Sequence, residues 1–443
     1  MRVRVVRLAA VVTSSRPVTV DAWLAYLETL HPKAIALGLH RVRAVAGRLA
    51  ANIECPVITV TGTNGKGSTC AMLESILRTA GYRVGLYTSP HLMRYHERVR
   101  VAGAEVTDAE LLRAFAAVED ARLATVDVHG EPILLTYFEF GTLAALWIFA
   151  RAGLDVLVLE VGLGGRLDAV NIIDADVAVM TSVDIDHVEY LGAERESIGR
   201  EKAGIFRGGR PAVCGDANPP ESVVAYAAAI GAILHVAGRD FGHIAEGRQW
   251  RYSGQRERYG LPFPALRGHY QLGNAAVVLA VLDILRDRLP VSAGAVRDGL
   301  LTVALPGRFE VLPGRPMIVF DVAHNPHAAR ALASALGEMG YHPETIAVCG
   351  MLADKDLAGV VAAMKSRVDR WFLGSLPGPR GATAVTIRDK LLMAGVDPAM
   401  VRSFDSIAEA VVAARDAAGE ADRIVVFGSF LTVAAAKTAL VRA

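Results

Sequence analysis

No C-x-x-C pair occurs in the chain, and its four cysteines, Cys55, Cys70, Cys214 and Cys349, are scattered over 443 residues. That spacing argues against a disulfide framework and a thiolate zinc knuckle, and it fits a reducing cytoplasm. Neither sign of charge is in excess: 47 Lys and Arg face 46 Asp and Glu, so overall charge recruits neither nucleic acid nor an anionic membrane surface. Long apolar runs are lacking too, because stretches such as LAALWIFARAGLDVLVLE are broken by Arg151 and Asp155. The N-terminal MRVRVVRLAAVVTSS carries early arginines and an apolar run of only about half the span of a membrane helix, so no secretion leader is predicted. No short internal repeat is visible. A chain of this length can bury two cores, and the expected partners are small molecules.

What is present is a strand, turn and helix rhythm. Helical periodicity is predicted around Asp21–Leu30 and Arg41–Leu49, followed by the β-rich run PVITV, a glycine turn and a helix to about Thr79. YRVGLYTS supplies a second strand, ERVRVAGAEVT a small hairpin, and two helices follow over about 108–121 and 136–152. DVLVLE, DVAVM and PAVCG are apolar runs bounded by Gly, Asp and Pro, as parallel strands buried on both faces should be. From about His235 to Pro264 the texture becomes polar and aromatic, predicting an antiparallel excursion. Helices over about 270–285 and 292–301 close the first domain. ALPGRFEVLPGRP then marks a boundary between residues 1–304 and 305–443. Beyond it MIVFD, TIAVCG, RWFLGS and RIVVFGS restart the rhythm as four α/β units. The predicted fold class is α/β: a mostly parallel sheet domain containing a phosphate-binding loop, with a second, smaller doubly wound Rossmann-like domain.

VTGTNGKGSTCAMLESIL carries the first chemical signal. It departs from G-x-x-x-x-G-K-[S/T] twice, with Val60 at the first glycine position and Gly67 after Lys66. A strand ending at Thr61, a turn holding Gly62 and Gly65, and a helix opening at Lys66 still place free N–H groups and a helix dipole around an anion. Lys66 adds a point charge suited to phosphates. Ser68 or Thr69 either serves a magnesium ion or caps the helix. Magnesium would seek oxygen ligands at neighbouring strand ends, where Ser89 and His91 follow the second strand and Glu160 ends DVLVLE. A carboxylate ending a buried run needs compensation, from a metal, a helix cap or Arg166. Gly162, Gly164 and Gly165 lack the dinucleotide order and predict a close backbone approach or a turn. Asp184, Asp186 and His187 follow DVAVM, with His187 either a metal ligand or an ordinary hydrogen-bonded histidine. Lys202, between Arg200, Glu201 and the rest of GREKAGIF, reads most simply as part of a solvated charge run. In the second domain Asp321, His324 and Asn325 follow MIVFD, Arg308 sits in the linker, and Asp354 and Asp356 are candidate helix caps.

Taken in order, TGTNGKGS, TSPHL, TYFEFGTLAALW, LEVGLGGRLDA, DHVEYLG, GREKAGIFR, LPGRFE, DVAHNPH and GSFLTVA resemble the folylpolyglutamate synthase and dihydrofolate synthase family, a branch of the Mur-type ATP-dependent amide ligases. Gly67 and the missing first glycine are then family features. The resemblance implies that Thr63, Asn64, Gly65, Lys66, Gly67 and Ser68 wrap ATP phosphates, and that Asn274, Arg308 and Asp321 hold the rest of the nucleotide. It implies two Mg2+ sites, with Ser89 and Glu160 on one and His187 on the other. Lys202 matches a lysine carboxylated on its ε-nitrogen, a modification that turns a cation into an oxygen ligand. Lys66, Glu160, His187 and Lys202 are thus the implied catalytic set. The implied substrates are dihydropteroate, reduced folates and L-glutamate, with the pterin held by Ala36, Leu37, Gly38 and Leu39, by Thr136, Tyr137, Phe138 and Glu139, and by Leu167, Asp168 and Ala169. The chain departs from the family at IALGL, where Ala36 replaces the aspartate of I-D-L-G-L and leaves a polar pterin edge without that acceptor. The expected protein is a cytoplasmic monomer that ligates glutamate to both pterin substrates through an acyl phosphate. Polyglutamate extension alone, or an ATP-binding switch that ligates nothing, are the alternatives.

Overall fold

The computed structural model describes residues 16–127 and 129–442; the N-terminal stretch weighed above as a leader lies outside the described residues, and the side chain of Arg442 is likewise not described. The first sheet has eight strands: β1 (Val57–Thr61), β2 (Val84–Tyr87), β3 (Val99–Val101), β4 (Ala104–Glu105), β5 (Val156–Glu160), β6 (Val177–Met180), β7 (Pro211–Cys214) and β8 (Ile233–Val236), in spatial order β4-β3-β2-β5-β1-β6-β7-β8. Its centre is parallel, with only β3 and β4 antiparallel at one edge. β9 (Gly242–Glu246), β10 (Gln249–Ser253) and β11 (Arg258–Pro262) form the predicted antiparallel excursion, although it starts later than the sequence suggests, because β8 is still a parallel edge strand.

The apolar runs are explained by helices on both faces of the sheet. Along β5, Leu157 and Leu159 point into one core with the helices Val20–Leu30, Asp108–Leu123 and Tyr137–Phe149. Val156 and Val158 point into the opposite core with Lys66–Thr79, Tyr270–Ile284 and Ala293–Thr302. A strand buried on both sides has no face left for polar residues, and each such side chain contributes about 1.5–3 kcal/mol. Helix starts are fixed locally: Thr107 and Thr136 cap the second and third helices of the first core with capping boxes to Glu110 and Glu139.

The second sheet has six strands, β12 (Glu310–Leu312), β13 (Met317–Phe320), β14 (Thr345–Cys349), β15 (Arg370–Gly374), β16 (Val401–Phe404) and β17 (Arg423–Phe427), in the order β12-β13-β17-β14-β15-β16. All pairs but β12–β13 are parallel, and helices cover both faces. Four strands are those expected from the sequence. β12 sits inside Pro/Gly punctuation that reads as linker, and β16 is a partly exposed edge strand without an apolar run, so neither carries a sequence signal. The carboxyl ends of β1, β2, β5 and β6 face those of β13, β14 and β17 across one cleft.

Candidate active site

The glycine turn after β1 is shaped by close approach. A side chain at Gly62 (φ 149°) would begin 1.8 Å from Thr181 Oγ1, and one at Gly65 (φ 88°) 2.6 Å from Asn274 Oδ1. Gly65 is left-handed at the N-cap of Lys66–Thr79, a position that favours glycine. The turn is pinned to the loop after β6: Thr63 N–H donates to Ser182 O at 2.9 Å, and the Thr63 hydroxyl donates to Asp184 O at 3.0 Å. Lys66 Nζ donates to Gly62 O (2.9 Å) and Thr63 O (3.2 Å), so the cation lies folded over its own loop. Burial lowers its pKa, opposed by the Glu160 carboxylate. Gly67 is the least crowded of the three: a side chain there would point between Leu305, Arg308 Nη2 and Glu160 Oε1, each 3.6–3.9 Å away. Ser68 is buried and accepts from Gln271 Nε2 at 3.3 Å, and Thr69 is buried as well. Cys70 is core.

Glu160 ends β5 as a buried carboxylate whose Oε2 accepts Ser89 N–H at 3.1 Å. Burial raises its pKa and Lys66 opposes that rise. The alternative of an Arg166 salt bridge is excluded, because Arg166 pairs with Glu201 at 2.7 Å. The loop after β5 approaches the helix Arg195–Ala203 so closely that a side chain at Gly165 would meet Lys202 O at 2.8 Å. This contact accounts for Gly165, while Gly164 has a positive φ (68°), and the burial of this helix corrects the simple reading of Lys202. Its residue is 4% exposed, not solvated, and burial followed by the Lys66 charge brings its pKa down to about 7. His187 adopts a left-handed backbone (φ 53°, ψ 43°), and burial lowers its pKa to about 4, leaving a neutral imidazole. His91 Nδ1 receives Arg98 Nε at 2.9 Å, and burial with the Arg98 charge lowers its pKa to about 4.

Across the cleft, Arg308 stacks its guanidinium 4.9 Å from the Phe430 ring centroid. Asp321 is buried and accepts Phe309 N–H (2.8 Å) and Ala323 N–H (2.7 Å); burial raises its pKa and Arg308 opposes. Asn325 caps the helix Pro326–Gly337, and its amide pairs reciprocally with that of Asn64 at 3.2 and 3.3 Å. Asp356 caps Leu357–Met364 as expected, whereas Asp354 pairs with Arg380. Gln271, Lys355 and Arg98 also line or adjoin the cleft, and no sequence spacing marked them. The cleft encloses about 670 Å³ and is lined by Thr63 to Ser68, Ser89, Glu160, His187, Lys202 and Asn274, with Arg308 and Asp321 facing them.

The donor set fits a divalent cation shared with phosphates. Among the described residues no group of three or more His, Cys, Asp or Glu side chains converges on one point. Mg2+ takes few protein ligands, keeps water and draws its remaining oxygens from phosphate, so one buried carboxylate beside Gly67 suits it.

The segments matched to a pterin site meet beside this cleft. Gly38 N–H donates to Leu167 O at 3.4 Å, Arg41 Nη2 donates to Ala36 O at 2.5 Å, and the same nitrogen pairs with Glu139 at 2.7 Å. Phe138 connects the two sites, since a side chain at Gly162 would begin 2.6 Å from its ring. Asp168 is buried, caps a short 3-10 turn and accepts Leu163 N–H at 2.8 Å; burial raises its pKa to about 6. Leu37, Tyr137 and Ala169 lie on these same segments.

Residues 106–282 match the Mur ligase middle domain, and residues 307–430 match the Mur ligase glutamate ligase domain. The chain is 48% identical over 93% of both sequences to dihydrofolate synthase/folylpolyglutamate synthase of Escherichia coli. Among solved structures, an E. coli protein in complex with DHPP and ADP superposes with a TM-score of 0.88 at 47% identity, covering 96% of this chain and 99% of the other. A bifunctional folylpolyglutamate synthase/dihydrofolate synthase with Mn, AMPPNP and L-glutamate bound superposes at 0.86 with 46% identity, over 96% and 98%.

Proposed function

The chain belongs to the dihydrofolate synthase/folylpolyglutamate synthase family of Mur ligases, and from that premise and the cleft we infer that it is an ATP-dependent ligase. It joins L-glutamate to dihydropteroate, giving dihydrofolate, and to tetrahydrofolate, giving folylpolyglutamates. ATP and a divalent metal are its cofactors. The observation that carries this reading is the convergence of Lys66, Glu160, His187 and Lys202 in one cleft opposite Arg308 and Asp321.

A carboxylate is a poor electrophile, so one carboxylate oxygen of the pterin substrate attacks the γ-phosphorus of ATP, and ADP leaves. The neutral amine of glutamate then attacks the acyl carbon of the acyl phosphate, phosphate leaves with the bonding pair, and the nitrogen gives up one proton to solvent. In our reading the N–H groups from Gly65 to Ser68 cradle the phosphates, since those of Thr63 and Asn64 are taken by Ser182, and Lys66 turns from Gly62 O and Thr63 O to neutralise the charge that builds on them. Asn274, Arg308 and Asp321 hold the nucleoside. Ser89 and Glu160 would hold one Mg2+; His187, with Lys202 as a carbamate, would hold a second. When bound, the metals supply Lewis-acid stabilisation of phosphoryl oxygen. The rest of the catalysis is positioning of two substrates in a walled cleft.

We assign pterin binding to the meeting point of Ala36–Gly38, Thr136–Glu139 and Leu167–Ala169. The domain boundary is placed between residues 304 and 305. The protein acts as a cytoplasmic monomer without a nucleic-acid partner. No helix among the described residues is long and apolar enough to cross a membrane. The test is phosphate release from ATP with glutamate plus dihydropteroate, glutamate plus tetrahydrofolate, or glutamate alone, with products identified by mass. Release with tetrahydrofolate only would reduce the activity to polyglutamate extension, the alternative that Ala36 favours. Release indifferent to both pterins would refute ligation.

A further inference from the structure

Asp186 is one of the points at which the two domains grip each other, beside the Asn64–Asn325 pair. Its Oδ1 accepts the backbone N–H of His187 at 2.8 Å and Lys355 Nζ at 2.6 Å. Its Oδ2 accepts Asn325 Nδ2 at 3.1 Å and lies 3.5 Å from His324 Nε2. The ion pair is shut away from solvent, with the Lys355 and Asp186 side chains 6% and 9% exposed.

Three of these partners, Lys355, Asn325 and His324, come from the second domain, while His187 belongs to the first. His187 is held in the left-handed region, which costs a non-glycine residue roughly 1–2 kcal/mol unless local hydrogen bonds offset it. Its carbonyl accepts the N–H groups of Tyr190 (2.9 Å) and Leu191 (3.0 Å), its own N–H donates to Asp186, and Asp186 is in turn oriented by Lys355 and Asn325 from the second domain. Without Lys355, the carboxylate would be left buried and under-compensated, and it would turn to find another partner. Asn325 also pairs with Asn64, so one side chain touches both the phosphate loop and the Asp186 clasp.

We propose that Lys355 and Asn325 are positioning residues that, by clasping Asp186, set the backbone of His187 and so complete the metal-binding wall only when the second domain is docked on the first. The inference rests on the reading of His187 as a metal ligand. It makes domain docking a precondition for full metal affinity, and not only for closing over substrate.

The test is Mn2+ binding to the full-length protein with AMPPNP, without glutamate or pterin, read by electron paramagnetic resonance and calorimetry. Lys355→Met is expected to weaken the His187-dependent Mn2+ about tenfold or more, the usual effect of losing an outer-shell partner, while Lys355→Arg restores most of it. In a double-mutant cycle, Asp186→Asn combined with Lys355→Met should be no weaker than the worse single variant. If Lys355→Met does not fold, Lys355→Gln, which keeps a donor but not the charge, carries the same comparison. Wild-type Mn2+ affinity in the Lys355 variant, with only a raised KM for glutamate, would overturn the inference while leaving the metal role of His187 intact, provided His187→Ala weakens Mn2+. If His187→Ala binds Mn2+ as the parent does, the ligand reading fails and the inference fails with it.

Discussion

Replacing Lys202 by methionine should make the metal-free protein more stable, and by an amount that depends on pH in a defined direction. The amine titrates near 7 in the folded protein against an ordinary value of 10.5, principally because it is buried. At about 1.4 kcal/mol for each tenfold change in proton affinity, that difference amounts to a folding cost of about 5 kcal/mol while the amine is charged in both states. Below pH 7 the full cost is present. Between about 7 and 10.5 the unfolded chain holds the extra proton, so wild-type stability rises with pH by up to about 1.4 kcal/mol per unit, and the cost is gone above that window. Lys202→Met lacks the titration, and its stability should exceed wild type most at pH 6.5 and progressively less at 7.5 and 8.5. Urea unfolding in carbon-dioxide-free buffer at these pH values measures the difference. Parallel wild-type and variant curves would refute the reasoning. The same depressed pKa provides the neutral amine that attacks carbon dioxide, forming an N–C bond and releasing a proton. Bicarbonate at pH 8.5 should therefore stabilise wild type but not the variant, and native mass should show one added carbon dioxide.

Further outcomes follow from the same geometry. Lys66→Met removes a cation whose contacts in the metal-free protein are two loop carbonyls. It should lower kcat by about 10²–10³ with an unfolding midpoint close to wild type, and an equal loss of both would count against a role in turnover. Gly165→Ala places a methyl 2.8 Å from Lys202 O, so it should cost about 1–3 kcal/mol in urea unfolding and displace Lys202. Ala36→Asp should lower KM for dihydropteroate with little change for tetrahydrofolate, and the opposite ranking would show that Ala36 does not set the preference. Asp168 has a folded pKa of about 6, raised above its ordinary 3.8, so the stability it confers is present below about pH 4 and lost as pH rises through 6. Asp168→Asn should flatten that segment of the stability–pH curve.

The glycine turn after β1 was legible because its requirements are local. A buried β-run, glycines where φ is positive or space is short, and a lysine opening a helix are all contained in about a dozen residues. Glu160 was legible for a related reason, since a carboxylate closing an all-apolar strand is an anomaly within one segment. Lys202 was not, because its neighbours in sequence are charged while its neighbours in space are a glycine loop and the Lys66 cation. The edge strands β12 and β16 were missed because edges bear no two-sided apolar run.

The sequence by itself determined the alternation of strand and helix, the two-domain α/β architecture and the glycine turn that opens Lys66–Thr79, because hydrophobic period, glycine freedom and helix capping act over a few residues. Only the tertiary structure decided that Lys202 is desolvated, that Arg166 serves Glu201 and not Glu160, and that Asp186 is held by Lys355 from 169 positions away. Burial and ion pairing depend on which surfaces meet when two sheets face each other across a cleft. No local pattern encodes that meeting.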